Sequence, residues 1–285
     1  MPDKVFVVGG TGNAGSEVAK KLASEGYIVL AASRNPGNVT VWHKKIQPYE
    51  FDYNKPETYS DILKEMDYVF MHSPPAHPDN HKLMIPFIDK AIESGVKKII
   101  FMSAMGVEFD ENLPLRATEI HLEKSGSDYV VFRPNWFFQV FNSQYAGQIN
   151  KTGRLMLPAG NAQISFIDTR DIAACTNAAL KDNSLDNKAY TLTGPMPHSI
   201  DEVVKEISEV SGKNIQYKSA EADEFRQYLL EAGVPPESVD IVDRLFTVVR
   251  HGHANKVTDE VEKISGNKPR SLRDYVKDYR KYWEL

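Results

Sequence analysis

The chain has 285 residues, 41% hydrophobic and 26% charged, with a net charge of −5. That balance suits a globular protein with room for one large α/β domain and an appended lobe, and it lacks the clustered Lys and Arg that nucleic-acid backbones require. Its single cysteine, Cys175, excludes an internal disulfide and a cysteine-based metal cluster.

Met1–Lys4 leads directly into the apolar run Val5–Val8, leaving no room for a signal peptide, and no stretch reaches the ~18 apolar residues of a membrane helix. A cytoplasmic protein without a membrane segment is expected. Val5–Val8 is predicted as a buried strand. Residues 13–25 follow as a helix, with Ala14, Val18 and Leu22 on one stripe. Further strands are predicted at 28–32, 46–51, 68–71, 96–102 and 129–132, and helices at 56–66, 83–94 and 117–124. This alternation implies βαβ units, a parallel sheet of Rossmann type with helices on both faces, and right-handed crossovers.

Beyond about residue 150 the regularity drops. Strands are predicted at 164–167 and 190–193, with a helix over 171–180 carrying Cys175 on an apolar face. Ser199 and Glu202 form a capping box opening a helix with Val203, Ile207 and Val210 on one side. The expected division is a dinucleotide-binding domain over 1–150 and a smaller, helix-rich, substrate-side lobe over 151–285, with 163–193 returning to the main sheet.

Gly9-Gly10-Thr11-Gly12-Asn13-Ala14-Gly15 follows the first strand and opens the first helix. Gly9 permits a tight turn, Gly12 lets a pyrophosphate approach the backbone, and Gly15 lets the helix pack closely on the strand. The free N–H groups of Asn13 and Ala14 and the helix dipole then face the phosphates. The second strand ends in Ser33-Arg34, where sites for NAD carry an acidic residue that accepts from the ribose hydroxyls. Arg34 could pair with a 2′-phosphate, which favours NADP(H); alternatively it points to solvent. Asp52, after the third strand, could accept from the adenine amino group or cap the next turn. His72-Ser73-Pro74-Pro75 ends the fourth strand and should lie along the cofactor, as should Ser103 at the end of the fifth. His72, His77 and His81 lack the carboxylate or cysteine pattern of a metal site, so no metal is expected.

With these residues in view, the sequence resembles the NmrA-like branch of the atypical short-chain dehydrogenase/reductases. The likeness rests on the glycine loop, on Ser94–Ser103, on Glu119-x-x-Leu122-x-x-Ser125-Gly126 leading to Tyr129 and Arg133-Pro134, and on Ser165-Phe166-Ile167-Asp168-x-x-Asp171. Triphenylmethane-dye, azo and quinone reductases look most similar, partly through Ser208–Lys213 and Ala232–Pro235. One departure matters. The wider superfamily uses a Tyr-x-x-x-Lys pair to donate a proton, and none of the 13 tyrosines here has Lys four residues later. Tyr129 has Arg133 there, but within a strand. Arg116 lies near a basic position of some relatives, or is a surface residue.

Met105, after the fifth strand, and Asn135, Trp136 and Phe137, after the sixth, are expected to face the nicotinamide. The last three would form an aromatic wall with one polar group, suited to a flat conjugated acceptor; the alternative is inter-lobe core. Asp168 and Asp171 are read as caps and ion-pair partners. Two functions follow from the resemblance: an NADPH-dependent reductase of a quinone, dye or similar small electron acceptor, or an NADP(H)-binding redox sensor acting without turnover through a protein partner. An open pocket beside the nicotinamide would favour the reductase.

Overall fold

A computed structural model describes residues 1–74 and 77–283. The first part alternates β1 (Lys4–Val8), α1 (Asn13–Ser24), β2 (Ile28–Ser33), β3 (Ile46–Glu50), β4 (Tyr68–His72), α2 (Asn80–Glu93), β5 (Lys98–Met102), α3 (Pro114–Lys124) and β6 (Asp128–Pro134). There follow α4 (Ala146–Thr152), β7 (Arg154–Leu157), α5 (Thr169–Lys181), β8 (Lys188–Leu192), α6 (Ile200–Ser211), β9 (Gln216–Ser219), α7 (Ala222–Glu231), α8 (Pro236–Arg250), α9 (Glu260–Ser265) and α10 (Leu272–Asp278).

Seven strands form one parallel sheet in the order β3-β2-β1-β4-β5-β6-β8. The chain reverses its direction of sheet growth between β1 and β4, which opens a crevice at their carboxyl ends. Strand side chains alternate between faces, and both faces of β1 are buried. Val5 and Val7 pack with α1, α5 and α9. Phe6 and Val8 pack with α2, α3 and the turns after β3. This two-sided burial explains why β1 reads as a continuous apolar run rather than an alternating one.

The helix predicted over 56–66 is instead two 3-10 turns, Pro56–Thr58 and Ile62–Glu65. Side chains there satisfy backbone groups locally. The Thr58 hydroxyl donates to Lys55 O at 2.7 Å, and the Ser60 hydroxyl donates to Pro56 O at 2.7 Å. Such bonds compete with a continuous helix. Helices α2 and α3 each begin three residues before the predicted starts, at Asn80 and Pro114.

The run at 164–167 is extended but is not a sheet strand. It makes single bridges, Ile167 to Phe137 and Ile164 to His198, and Ser165 N donates to Ala254 O at 2.9 Å. Three segments therefore share its backbone groups. Strands β7 and β9 pair in parallel as a separate two-stranded sheet that the sequence reading did not foresee. Each is four residues long, and Arg154, Gln216 and Lys218 obscure its pattern.

The capping box at Ser199 is present: Glu202 N donates to the Ser199 hydroxyl at 3.1 Å, and Ser199 N donates to Glu202 Oε2 at 2.7 Å. A second hydrophobic core gathers Phe138, Phe166, Val203, Phe246, Tyr275 and Trp283, joining α6, α8 and α10 to the segment after β6. Among the described residues, no helix is long and apolar enough to cross a membrane.

Candidate functional site

The crevice begins at the glycine loop. Gly9 has φ +72° and its N-terminal neighbour ends β1. A methyl group on Gly15 would stand 2.2 Å from Gly9 O and 2.9 Å from Val8 O, so α1 lies against the strand end with no room for a side chain. Gly10, which the sequence reading passed over, is equally confined: a methyl there would meet Ala31 at 2.8 Å. Gly12 differs. A methyl there would meet only Gly9 O, at 3.3 Å, and its other directions are open. Gly12 is also the N-cap of α1, with no side-chain cap and no acidic residue in the first turn. The first-turn N–H groups, including those of Asn13 and Ala14, thus lack a side-chain acceptor where a phosphate would supply one.

Around this loop the structure gathers the strand ends. The Thr11 and Ser33 hydroxyls lie 3.3 Å apart, and Ser33 Oγ also accepts from Asn35 N at 3.2 Å. Arg34 is exposed beside them. Asp52 is half-buried, and its Oδ1 accepts from Asn54 N at 2.9 Å. It therefore holds its own turn, with the second carboxylate oxygen left over. His72 closes the crevice floor, its Nδ1 bonded to Ser73 O at 2.8 Å; burial lowers its pKa below 6.5. Pro74 is half-buried next in the chain, and Pro75 lies outside the described residues. Asn13 reaches away from the loop and donates to Ser143 Oγ at 3.0 Å, linking the loop to the segment after β6.

Beyond the ends of β5 and β6 a cavity of about 750 Å³ opens. Ser103, Met105, Asn135, Trp136 and Phe137 all line it, with Val140 and, from α8, Leu245 and Val248. Ser103 is 6% exposed and its hydroxyl has no hydrogen-bond partner. An unpaired buried hydroxyl costs roughly 1–3 kcal/mol unless a ligand satisfies it. Asn135 is less available than the sequence suggested. Its Nδ2 donates to Ser165 Oγ and Ala254 O, both at 2.7 Å, and its Oδ1 accepts from Trp136 N at 2.9 Å. It anchors the wall and leaves no free polar group. Trp136 packs on Phe246 of α8, ring centroids 5.1 Å apart, so it serves both the cavity and the second hydrophobic core.

Arg116 is half-buried and held by ion pairs. It pairs with Glu119 at 2.9 Å and Glu123 at 2.6 Å. The buried Glu119 in turn accepts two bonds from Arg133, at 3.0 and 2.5 Å. Arg133 thus commits its Nε and Nη2 to Glu119, and burial raises the pKa of Tyr129. The i, i+3 spacing of Arg116 and Glu119 was visible; the reach of Arg133 across from β6 was not. Asp168 caps α5, accepting from Arg170 N at 2.9 Å, and pairs with the Arg170 side chain at 2.7 Å. Asp171 pairs with Arg270. Cys175 is buried in α5, and burial raises its thiol pKa. Among the described residues, no group of three or more His, Cys, Asp or Glu stands close enough to hold a metal ion.

Residues 9–183 match a family model described as NAD(P)H-binding. The chain belongs to that family. Over 278 residues it is 29% identical to prestalk A differentiation protein A of Dictyostelium discoideum, covering 96% of this chain and 91% of that protein. It is 28% identical over 278 residues to the NAD(P)H azoreductase of Xenophilus azovorans, covering 96% of each. Its fold is similar to that of Citrobacter sp. triphenylmethane reductase complexed with NADP(H), with TM-score 0.78, 23% identity, and coverage of 97% of this chain and 99% of that one. The NmrA-like resemblance read from the residues agrees with the family match.

Proposed function

We propose that this NAD(P)H-dependent oxidoreductase uses NADPH to reduce a quinone, dye or similarly flat small electrophile. The observation that carries the reading is the open cavity at the ends of β5 and β6, directly beside the crevice that begins at Gly9.

Several features support a nicotinamide dinucleotide in that crevice. The uncapped first turn of α1, the open space at Gly12 and the exposed Arg34 suit a pyrophosphate and, further out, a 2′-phosphate. Ser33 and Thr11 offer hydroxyls to the adenosine ribose, Asp52 Oδ2 offers an acceptor to adenine, and His72, Ser73 and Pro74 would flank the chain of the cofactor. Bound there, the cofactor supplies a hydride. The protein's own part is to orient and to exclude water. The Ser103 hydroxyl donates to a polar oxygen of the bound pair, and Met105, Trp136 and Phe137 hold the acceptor by its apolar faces. No Tyr-x-x-x-Lys pair is present, and a quinone or dye that takes its proton from water needs none. The azoreductase relative fits this chemistry. An open cavity at this position favours the reductase over a sensor without turnover.

The test follows NADPH absorbance with purified protein and a panel of quinones and dyes. Acceptor-dependent oxidation that Gly12→Val abolishes is the expected result. Full-strength NADPH binding with no oxidation across the panel would overturn the reading in favour of the sensor.

A further inference from the structure

The cavity is not symmetric in its chemistry, and its asymmetry narrows the acceptor. Its inner end is closed by Ser103, Pro134 and Asn135, all at the carboxyl ends of β5 and β6. Its mouth is made by the turn after β5 and by α8 with the segment behind it. There Phe109 is 83% exposed, and Leu245 and Val248 are each about half exposed, at 49% and 48%. Large apolar side chains facing each other across a cavity mouth gain by covering one another with a ligand. An acceptor of a single ring at the Ser103 end would not reach them; an extended aromatic body would.

The charges at the mouth are placed unequally. Glu108 lines the cavity, but its Oε2 accepts from Gly106 N at 2.9 Å and lies 3.9 Å from Arg133 Nε. Its carboxylate is therefore held to the wall formed by the Arg133–Glu119–Arg116 network. His253 and Lys256 also line the cavity, both exposed. Among the described residues no carboxylate pairs with Lys256. The Lys256 main chain is fixed, its carbonyl accepting from the Ser165 hydroxyl at 2.5 Å, and Ser165 in turn bonds Asn135 of the cavity wall. Lys256 is thus held at the cavity by its main chain, and its side chain supplies the lining with a cation.

From this we infer that the acceptor is an extended aromatic electrophile bearing an anionic group, sulfonate or carboxylate, gripped by Phe109, Leu245 and Val248 along its body and by Lys256 at its charged end. The inference rests on the reductase reading for the word acceptor, but the site itself can be tested without turnover. Cationic dyes are correspondingly poor ligands, since their charge would meet Lys256.

The experiment uses two fluorescent probes with one aromatic body, 8-anilinonaphthalene-1-sulfonate and its neutral counterpart N-phenyl-1-naphthylamine, titrated into the full chain with saturating NADP⁺. The expected outcome is tighter binding of the sulfonate. Lys256→Glu should weaken the sulfonate about fivefold and leave the neutral probe within about twofold, Lys256→Arg should retain the sulfonate, and Phe109→Ala should weaken both about threefold, effects of the size that exposed ion pairs and apolar contacts give. Equal effects of Lys256→Glu on both probes, or no effect on the sulfonate, would overturn the charged subsite. Indifference of both probes to Phe109→Ala would place them outside this cavity and overturn it too. If the probes behave as expected while NADPH reduces no acceptor of any charge, the subsite stands and the reductase reading falls. If acceptors are reduced but Lys256→Glu is silent, the reverse holds.

Discussion

The imidazole of His72 fills the space beside Gly9: a methyl group on Gly9 would lie 2.0 Å from His72 Nε2, and the Gly9 backbone sits at φ +72°. The ends of β1 and β4 are therefore locked together at the crevice floor by one ring against one missing side chain. Gly9→Ala meets two costs, about 1–2 kcal/mol for a left-handed alanine and the displacement of His72. Only the second is relieved by His72→Ala. A double-mutant cycle read by thermal unfolding should show a favourable coupling of about 1 kcal/mol between the two substitutions. Strict additivity would mean the ring moves aside freely.

Gly12 and Gly15 stand three residues apart and should behave oppositely. At Gly15 a side chain meets main-chain atoms at 2.2 and 2.9 Å, which cannot yield without separating α1 from β1. Gly15→Ala should lower stability by about 2–4 kcal/mol, in the range of overpacked core sites. At Gly12 the backbone is extended, φ −86°, and an added Cβ would meet only Gly9 O, at 3.3 Å. Gly12→Val should leave Tm within about two degrees, a loss of about 1 kcal/mol or less for a chain of this size, and abolish NADPH binding. Comparable losses of Tm in both variants would remove the distinction between a packing glycine and a phosphate-facing one.

The glycine loop was legible in the sequence because each glycine answers a steric demand that acts over a few residues. The strand endings were legible for a related reason: in a parallel sheet every β-strand that reads as a short apolar run ends on the same side. What the sequence hid depends on contacts made far along the chain. Asn135 looked like a free polar group because its partners, Ser165 and Ala254, lie 30 and 119 residues away. Arg116 looked like a surface residue because nothing local shows that Glu119 is buried under Arg133. The mouth of the cavity was hidden altogether, since Leu245 and Val248 sit on a helix whose apolar stripe reads as ordinary packing and here partly faces open space.

Arg34 is exposed at the end of β2, two residues beyond Ala32, where the backbone of Gly10 is bonded to the strand at 3.0 Å. Arg34→Glu replaces a cation suited to a 2′-phosphate by an anion suited to ribose hydroxyls. The expected result is a drop of about 10- to 100-fold in the preference for NADPH over NADH, the order of one charge-assisted phosphate contact, with kcat for a common acceptor changed far less. An unaltered ratio of kcat/KM for the two cofactors would show that the guanidinium faces solvent.

Ser103 offers a contrast between stability and activity. Its buried hydroxyl has no partner among the described residues, so Ser103→Ala removes an unsatisfied group and should hold or raise Tm in the absence of ligands. If the hydroxyl donates to the reacting pair, kcat should fall by about 10- to 100-fold, the lower part of the range for a lost donor to developing charge. A loss of Tm with unchanged kcat would make Ser103 a packing residue instead.

His72 also sets a pH dependence whose sign can be fixed. Its ring is held against Gly9 and beside Phe70, ring centroids 6.5 Å apart, and Nδ1 is committed to Ser73 O. A second proton would sit on Nε2, against the Gly9 main chain. Burial consequently lowers the pKa below its ordinary 6.5, and the unfolded chain takes up a proton that the folded chain refuses. Linkage then requires stability to be intact above pH 6.5 and to decline as the pH falls from 6.5 toward the folded pKa. Thermal unfolding of the wild type and of His72→Asn, measured without cofactor between pH 7.5 and 5.5, isolates this contribution. The amide keeps a donor for Ser73 O and cannot be protonated in that range. The wild type should lose Tm relative to His72→Asn as the solution is acidified. A difference constant across the range would mean that the histidine protonates as readily in the fold as in the unfolded chain, and the crevice floor would then carry a cation at the point where β1 and β4 diverge.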